Sequence, residues 1–125
     1  LISVACLSET VAVSLIGAER LEMPEGPLRE LLTRIYADEV GHARFGWRLL
    51  ESVADDLDPD ERAAIERYLP VAFEHLEAHE LFYIPNRDAP EGGAAFGLCS
   101  GRDARLLLAE TVSDVIRPGL ARWFS

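Results

Sequence analysis

The sequence predicts an all-α protein of about four to five helices, contained in a single domain of 125 residues. Apolar residues recur at alternating spacings of four and three along most of the chain, a pattern typical of helices that pack into an antiparallel bundle. Breaks rich in proline and glycine separate these segments, and a strand signal is nearly absent. We therefore expect a helical hairpin over residues 1–57, with C-terminal helices over residues 58–125 that pack on it within the same domain.

Two seams of core positions mark the helices of the hairpin, and each seam has a polar centre. The first seam consists of Ile2, Cys6, Glu9, Val13 and Ile16. The second consists of Leu28, Leu32, Ile35, Glu39, His42, Gly46, Leu49 and Val53. Residues 22–27, Glu-Met-Pro-Glu-Gly-Pro, end the first helix and start the second, and so short a connection predicts an antiparallel pair.

Glu9 and Glu39 are expected to lie at the same level of this hairpin. Glu9 precedes Pro24 by 15 residues and Glu39 follows it by 15, so both lie roughly 22 Å from the turn at a rise of about 1.5 Å per residue. His42 joins them because residues three apart project from the same side of a helix. The sequence therefore predicts two carboxylates and an imidazole in one layer of the core.

An ionisable group on a core stripe is costly unless it is paired or bound to a metal. Two interpretations follow for this layer. Glu9, Glu39 and His42 form a metal site, or they form a structural network in which an Arg or a hydroxyl satisfies a buried Glu in a metal-free bundle.

The third helix is expected to begin with Asp58 as its N-cap and to end near Pro85, with Pro70 kinking it or splitting it in two. His75 and His79 share one face of this helix, beside Glu74, Glu77 and Glu80. We interpret that face as solvated, and a secondary metal site is the alternative.

The remainder of the chain predicts a long loop and one more helix. Residues 85–101 are rich in Pro, Gly, Asn and Asp and form the loop. The last helix is expected to run from about Arg102 to Ile116 and to be bent or ended by Pro118-Gly119. The apolar tail at Trp123 and Phe124 then packs on the body or on another subunit.

With these residues in place, the chain resembles the second half of a ferritin-like di-iron carboxylate protein. That family builds its centre from a Glu on each of two helices and a Glu-x-x-His pair on each of the other two. By this resemblance Glu9 is the lone Glu of the third helix, and Glu39 with His42 is the pair of the fourth, while Asp38 hydrogen-bonds the metal-bound His of the opposite half. The cofactor implied is a di-iron pair, with manganese as the alternative metal.

The resemblance implies an oxidoreductase or oxygenase that activates O₂ and acts on an unknown small molecule, and it covers residues 1–57. A complete centre needs four carboxylates and two His, so this chain supplies half of one. We expect the sequence to be a fragment that lacks the N-terminal half of the bundle, and a homodimer of two hairpins is the alternative. The alternative function is iron storage or a non-catalytic helical interaction domain, with a metal site completed only by a second chain.

Composition and net charge limit which binding partners and which cellular location are expected for this chain. The net charge is −10, and all 12 basic residues are Arg, which argues against nucleic acid or an anionic membrane surface as partner. No apolar run reaches the length of a membrane span, so no membrane segment is predicted. Two cysteines, Cys6 and Cys99, make no disulfide framework or Cys-x-x-Cys site, and Cys6 is expected to be a small apolar filler. Cytoplasm is the expected location.

Overall fold

The computed structural model covers residues 1–125 and confirms that the chain is all-helical. Helix α1 spans Ile2–Glu22, with a π-helical part at Ile2–Ser8 and an α-helical part at Glu9–Glu22. Helix α2 spans Pro27–Ala54 and helix α3 spans Pro59–Tyr83. After a short 3₁₀ turn at Gly93–Phe96, helix α4 runs through an α-helical part at Gly101–Glu110, a π-helical part at Thr111–Ile116 and a last turn at Arg117–Leu120.

Helices α1 and α2 form the predicted antiparallel hairpin and pack against each other along their lengths. The turn is set by backbone chemistry, because Met23 is extended, Gly26 has a positive φ of 154° and Pro27 starts α2 with its fixed φ. Close to this turn the ring of Tyr36 covers Gly17, and a Cβ on that glycine would meet the ring at 2.9 Å. The hairpin is therefore held at a short interhelical distance.

The hydrophobic core lies at the end of the molecule away from that turn. Helix α4 packs on α1, and α3 packs on the π-helical start of α1. The core takes residues from all four helices and from the C-terminal tail: Cys6, Leu7, Val11, Leu50, Ala54, Leu69, Phe73, Leu76, Leu108, Val112, Ile116 and Phe124. Phe124 is buried in this core, so the C-terminal tail packs on the body of the chain. This was one of the two alternatives predicted for the tail.

The seam predicted for α2 is not the face that α2 buries. The fully buried residues of α2 are Gly46, Leu50 and Ala54, and of these only Gly46 belongs to the predicted seam. Leu28, Ile35 and Val53 are exposed (42%, 37% and 37%), together with Leu31. The prediction was wrong for Leu28, Ile35 and Val53, because a four-three seam indicates only that a face is apolar, and no helix of this chain covers the face at these three positions.

Two predicted breaks do not interrupt their helices. Pro70 lies inside α3, which continues unbroken from Pro59 to Tyr83, so the predicted split is wrong. A proline removes one backbone hydrogen bond, and the burial of Leu69 and Phe73 on either side of it stabilises both halves of α3. Pro118 lies inside the last turn of α4, which ends at Leu120 and not near Ile116.

Both ends of α3 are bound by side chains. Asp58 is the predicted N-cap of α3: its carboxylate accepts from the Glu61 amide at 2.8 Å, and the Glu61 carboxylate accepts from the Asp58 amide at 3.0 Å. The C-terminal end of α3 is bound by Arg105 of α4, whose guanidinium donates to the carbonyls of Ile84 and Leu81 at 2.9 Å. The helix ends at Tyr83, close to the position predicted.

Helix α1 is long and apolar enough, by length and composition, to cross a membrane. This is weak evidence for a span, because the core helix of a soluble protein and a signal sequence have the same properties. The predictions of a cytoplasmic location and of no membrane partner stay predictions.

Candidate metal centre

The three predicted donors are brought together across the hairpin. Glu9 is the first residue of the α-helical part of α1, directly after the π-helical part. Glu39 and His42 lie one turn apart near the middle of α2. The equal distances of Glu9 and Glu39 from the turn therefore give the side-by-side placement expected from the sequence.

The geometry is compact. Nδ1 of His42 lies 3.3 Å from Oε2 of Glu39 and 3.7 Å from Oε2 of Glu9. One potential ligand atom from each of the three residues lies within 4.8 Å of the other two. No other group of three His, Cys, Asp or Glu side chains in the chain converges in this way.

The two carboxylates raise the electrostatic cost of this site. The pKa of Glu9 is raised, first by a hydrogen bond that the protonated Glu9 carboxyl donates to Glu39, then by burial and by repulsion from the Glu39 charge, while His42 lowers it. Such a pair is stabilised by a proton or by a cation between the two groups. The site is thus electrostatically prepared for a positive ion.

The donor set fits a divalent transition metal. Bonds of about 2.0–2.2 Å to nitrogen and oxygen place neighbouring donors roughly 3 Å apart in a tetrahedral or octahedral shell. The separations of 3.3 and 3.7 Å that involve His42 are close to that value and need only small side-chain rotations. Two carboxylates with one imidazole suit iron, manganese or zinc, and three donors hold one ion with positions left open.

The sequence predicted that these three side chains lie in the core, but in the structure they are partly exposed. The side chains of Glu9 and Glu39 are 25% and 23% exposed, and that of His42 is 60% exposed. The cause is the same uncovered face of α2 that exposes Leu28, Leu31 and Ile35. The donors converge at the rim of the hairpin, where a covering element would bury them.

Two residues that support the site were missed by the sequence analysis. The indole Nε1 of Trp47 donates to Oγ1 of Thr10 at 2.9 Å, and Thr10 follows Glu9 directly. Thr10 is buried and Trp47 is half-buried. The indole N–H of a Trp that is at least partly buried usually binds an acceptor. The presence of Trp47 five residues after His42 could therefore have indicated a polar contact near the site.

Other predicted residues do not join the cluster. Asp38 is exposed and has no hydrogen-bond or ion-pair partner within the chain. His75 and His79 are exposed on α3, as the solvated-face interpretation expected, and His79 contacts Glu80 at 3.2 Å. Cys6 lies on the π-helical part of α1 before Glu9, is fully buried in the core, and burial raises its pKa to about 11. It therefore behaves as an inert apolar filler and not as a thiolate ligand.

Comparison with known proteins does not add a function to this geometry. No family model matches the chain, and neither curated proteins nor solved structures include a match.

Proposed function

We propose that this chain binds a divalent transition metal through Glu9, Glu39 and His42, as one half of a ferritin-like di-iron carboxylate centre that oxidises a small molecule with O₂. The observation that carries the proposal is the approach of the three donors, from two helices, to within 4.8 Å of one another. The antiparallel order of α1 and α2 and the Glu-x-x-His spacing on α2 support the ferritin-like assignment.

Each donor has a distinct part in this proposal. By the ferritin-like resemblance, Glu39 would be shared by both ions of a pair and Glu9 would hold one of them. His42 would hold an ion through Nδ1, the ring nitrogen that faces both carboxylates. Iron, when bound, supplies the electrons and the open positions that O₂ requires. The contribution of this chain is to hold the donors at one level and to offset the charge of the ions.

A second helix pair is needed to complete such a centre, and the uncovered face of the hairpin is where it packs. The chain exposes 7955 Å² of surface, whereas a compact monomer of 13.8 kDa exposes about 6600 Å². The excess of about 1300 Å² exceeds the ~800 Å² that each partner buries in a standard interface. Leu28, Leu31 and Ile35 are exposed and form part of this excess. Asp38 is also exposed on α2 and would hydrogen-bond a His of the added helix pair.

The covering helices come either from residues of a longer chain or from a second copy of this one. Either source supplies the carboxylates and the second His that the centre lacks. The same covering element would bury Glu9, Glu39 and His42 and so strengthen their hold on the ions.

Metal titration of the chain tests the proposal. Manganese(II) or anaerobic iron(II) is titrated into wild type, Glu39→Gln and His42→Ala, and bound metal is measured after equilibrium dialysis. We expect weak binding of one ion per chain in wild type and at least a tenfold loss of affinity in both variants. Glu30→Gln and His75→Ala are matched controls, because both residues are exposed and lie outside the cluster. Equal binding by all five proteins would overturn the metal site.

Oxygen consumption separates catalysis from storage. Once the centre is completed by its second half, iron(II) oxidation that stops at a fixed ratio of iron to protein indicates storage, and continued O₂ uptake with an added reductant indicates an oxidase or oxygenase. Absence of metal from a completed centre would leave the cluster as a hydrogen-bond network and the chain as a helical interaction module.

A further inference from the structure

A cavity lies on the side of α1 opposite to Glu9. It has a volume of about 450 Å³, is partly open to solvent, and is lined by the C-terminal half of α1, the end of α3, the segment before α4 and the first turns of α4. Ala18, one of its lining residues, lies nine residues after Glu9 and therefore about half a turn round the helix. The cavity is thus separate from the candidate metal centre.

The body of the cavity is apolar, and two of its wall segments lie in direct contact. Its apolar lining includes Leu15, Ile84, Leu98 and Leu107. At the wall, a Cβ on Gly101 would overlap the carbonyl oxygen of Pro85, so the backbones of two segments are in direct contact there. A volume of this size suits a small organic molecule and not a folded partner.

The charged groups that line the cavity all have one sign. Glu19 and Glu22 of α1 and Asp103 of α4 are the ionisable carboxyl groups of its lining, and no Arg or His lines it. None of the three forms an ion pair within the chain. Burial, and next the charge of the neighbouring Glu22, raise the pKa of Glu19.

An anionic ligand is disfavoured at the same place. The first turn of α4 is the only helix N-terminus in the lining, and its amides are largely occupied. The Gly101 amide donates to the Arg87 carbonyl at 2.9 Å, and the Asp103 amide donates to Oγ of Ser100 at 3.2 Å. A carboxylate or phosphate would therefore meet negative side chains at a helix start where two of the amides are already paired.

We propose that this cavity binds an amphipathic amine, with its ammonium group beside Glu19 and Glu22 and its hydrocarbon body against the leucine lining. The proposal is independent of the metal centre, since the two sites share no residue. Charge complementarity selects the cation, and the apolar body of the cavity selects a hydrocarbon chain over a hydrated inorganic ion.

Three probes with the same eight-carbon chain test this inference: octylamine, 1-octanol and octanoate. Binding to the metal-free protein is measured by isothermal titration calorimetry, and the location is checked by NMR contacts between the probe chain and the methyl groups of Leu15 and Leu107. We expect saturable octylamine binding, at least tenfold weaker octanol binding and no measurable octanoate binding.

Charge-neutral variants then assign the contacts. Glu19→Gln and Glu22→Gln are each expected to weaken octylamine binding about fivefold or more and to leave octanol binding unchanged, whereas Glu30→Gln leaves both unchanged. The amide isosteres retain the fold, which circular dichroism verifies. Octanol binding as tight as octylamine, probe contacts outside the cavity, or unchanged octylamine affinity in both variants would overturn the proposal.

Discussion

Trp47 and Thr10 are joined across the hairpin by a hydrogen bond of 2.9 Å from the indole N–H to the threonine hydroxyl. Thr10 follows Glu9 on α1, and Trp47 lies five residues beyond His42 on α2. This contact fixes the axial position of α1 relative to α2 directly beside the donor cluster. It is therefore the contact most suited to keep Glu9 level with Glu39.

We expect Trp47→Phe to destabilise the protein by about 1–2 kcal/mol, because it removes a part-buried hydrogen bond and leaves the Thr10 hydroxyl without its donor. Urea denaturation followed by circular dichroism measures the loss. A double-mutant cycle with Thr10→Val isolates the bond, with a coupling energy of about 1 kcal/mol expected. Additive effects of the two substitutions would show that the bond contributes nothing to the hairpin.

Two glycines of α2 should respond in opposite directions to alanine. A Cβ on Gly46 would overlap the Ala5 carbonyl oxygen and lie 2.8 Å from the Ala5 Cβ, whereas nothing lies within 4 Å of a Cβ on Gly41. We expect Gly46→Ala to destabilise by about 2–4 kcal/mol through the forced separation of the helices. Gly41→Ala should stabilise by up to about 1 kcal/mol, since alanine is the better helix former.

Chemical denaturation of the two single variants checks this pair, and each is the control for the other. Gly41 also lies between Glu39 and His42, so its alanine variant tests whether the donors tolerate a stiffer backbone. A Gly46→Ala protein as stable as wild type would contradict the close approach of α2 to the π-helical part of α1.

The parts of this structure that were predictable depend on local geometry. Helical period and turn chemistry act over a few residues, so the all-helical class and the cap at Asp58 follow directly from the sequence. The level placement of Glu9 and Glu39 follows because helix rise is constant and the turn is short. No long-range information was needed for these features.

The parts that were not predictable depend on what covers each face. An apolar seam looks the same whether its partner is in the chain or outside it, so the exposure of Leu28 and Ile35 could not be seen in advance. Pro70 was expected to kink α3 or to split it in two, but α3 is continuous because residues on either side of Pro70 are buried in a core formed with other helices. The cavity beside α1 also draws its walls from parts of the chain that are distant in sequence, so no local pattern predicts it.

Arg105 should be a larger contributor to stability than its neighbour Arg102. Its guanidinium binds the carbonyls of Leu81 and Ile84, which have no partner within α3. We expect Arg105→Ala to destabilise by about 1.5–3 kcal/mol, as for a hydrogen-bonded charged group. Arg102 pairs only with Asp88, at 3.8 Å and with both side chains well exposed, so Arg102→Ala should cost about 0.5 kcal/mol or less.

Thermal and urea unfolding of Arg105→Ala and Arg102→Ala measure the two losses of stability. Arg105→Lys is a third variant for the same measurements. Lysine retains the charge but lacks the fork that reaches two carbonyls. Recovery of full stability in the lysine variant would show that charge alone, and not the paired hydrogen bonds, explains the effect.

Stability should fall in alkaline solution because of the buried thiol of Cys6. Burial raises its pKa from 9.0 to about 11, so the folded protein keeps this proton over a range in which the unfolded chain releases it. Fewer protons on the unfolded state mean that the free energy of unfolding decreases as pH rises from 9 to 11. The loss attributable to Cys6 approaches roughly 2–3 kcal/mol at the upper end of that window.

Urea denaturation at pH 8 and at pH 10.5, for wild type and Cys6→Ala, measures this difference. The alanine variant loses some packing at both pH values, so the comparison uses the change between them and not the absolute stability. We expect a smaller alkaline loss in Cys6→Ala than in wild type. Cys99 remains in both proteins and cancels, although its own pKa is raised to about 12 by burial and by the charges of Glu22 and Glu19. Equal alkaline losses in the two proteins would mean that the Cys6 thiol ionises as readily in the core as in the unfolded chain.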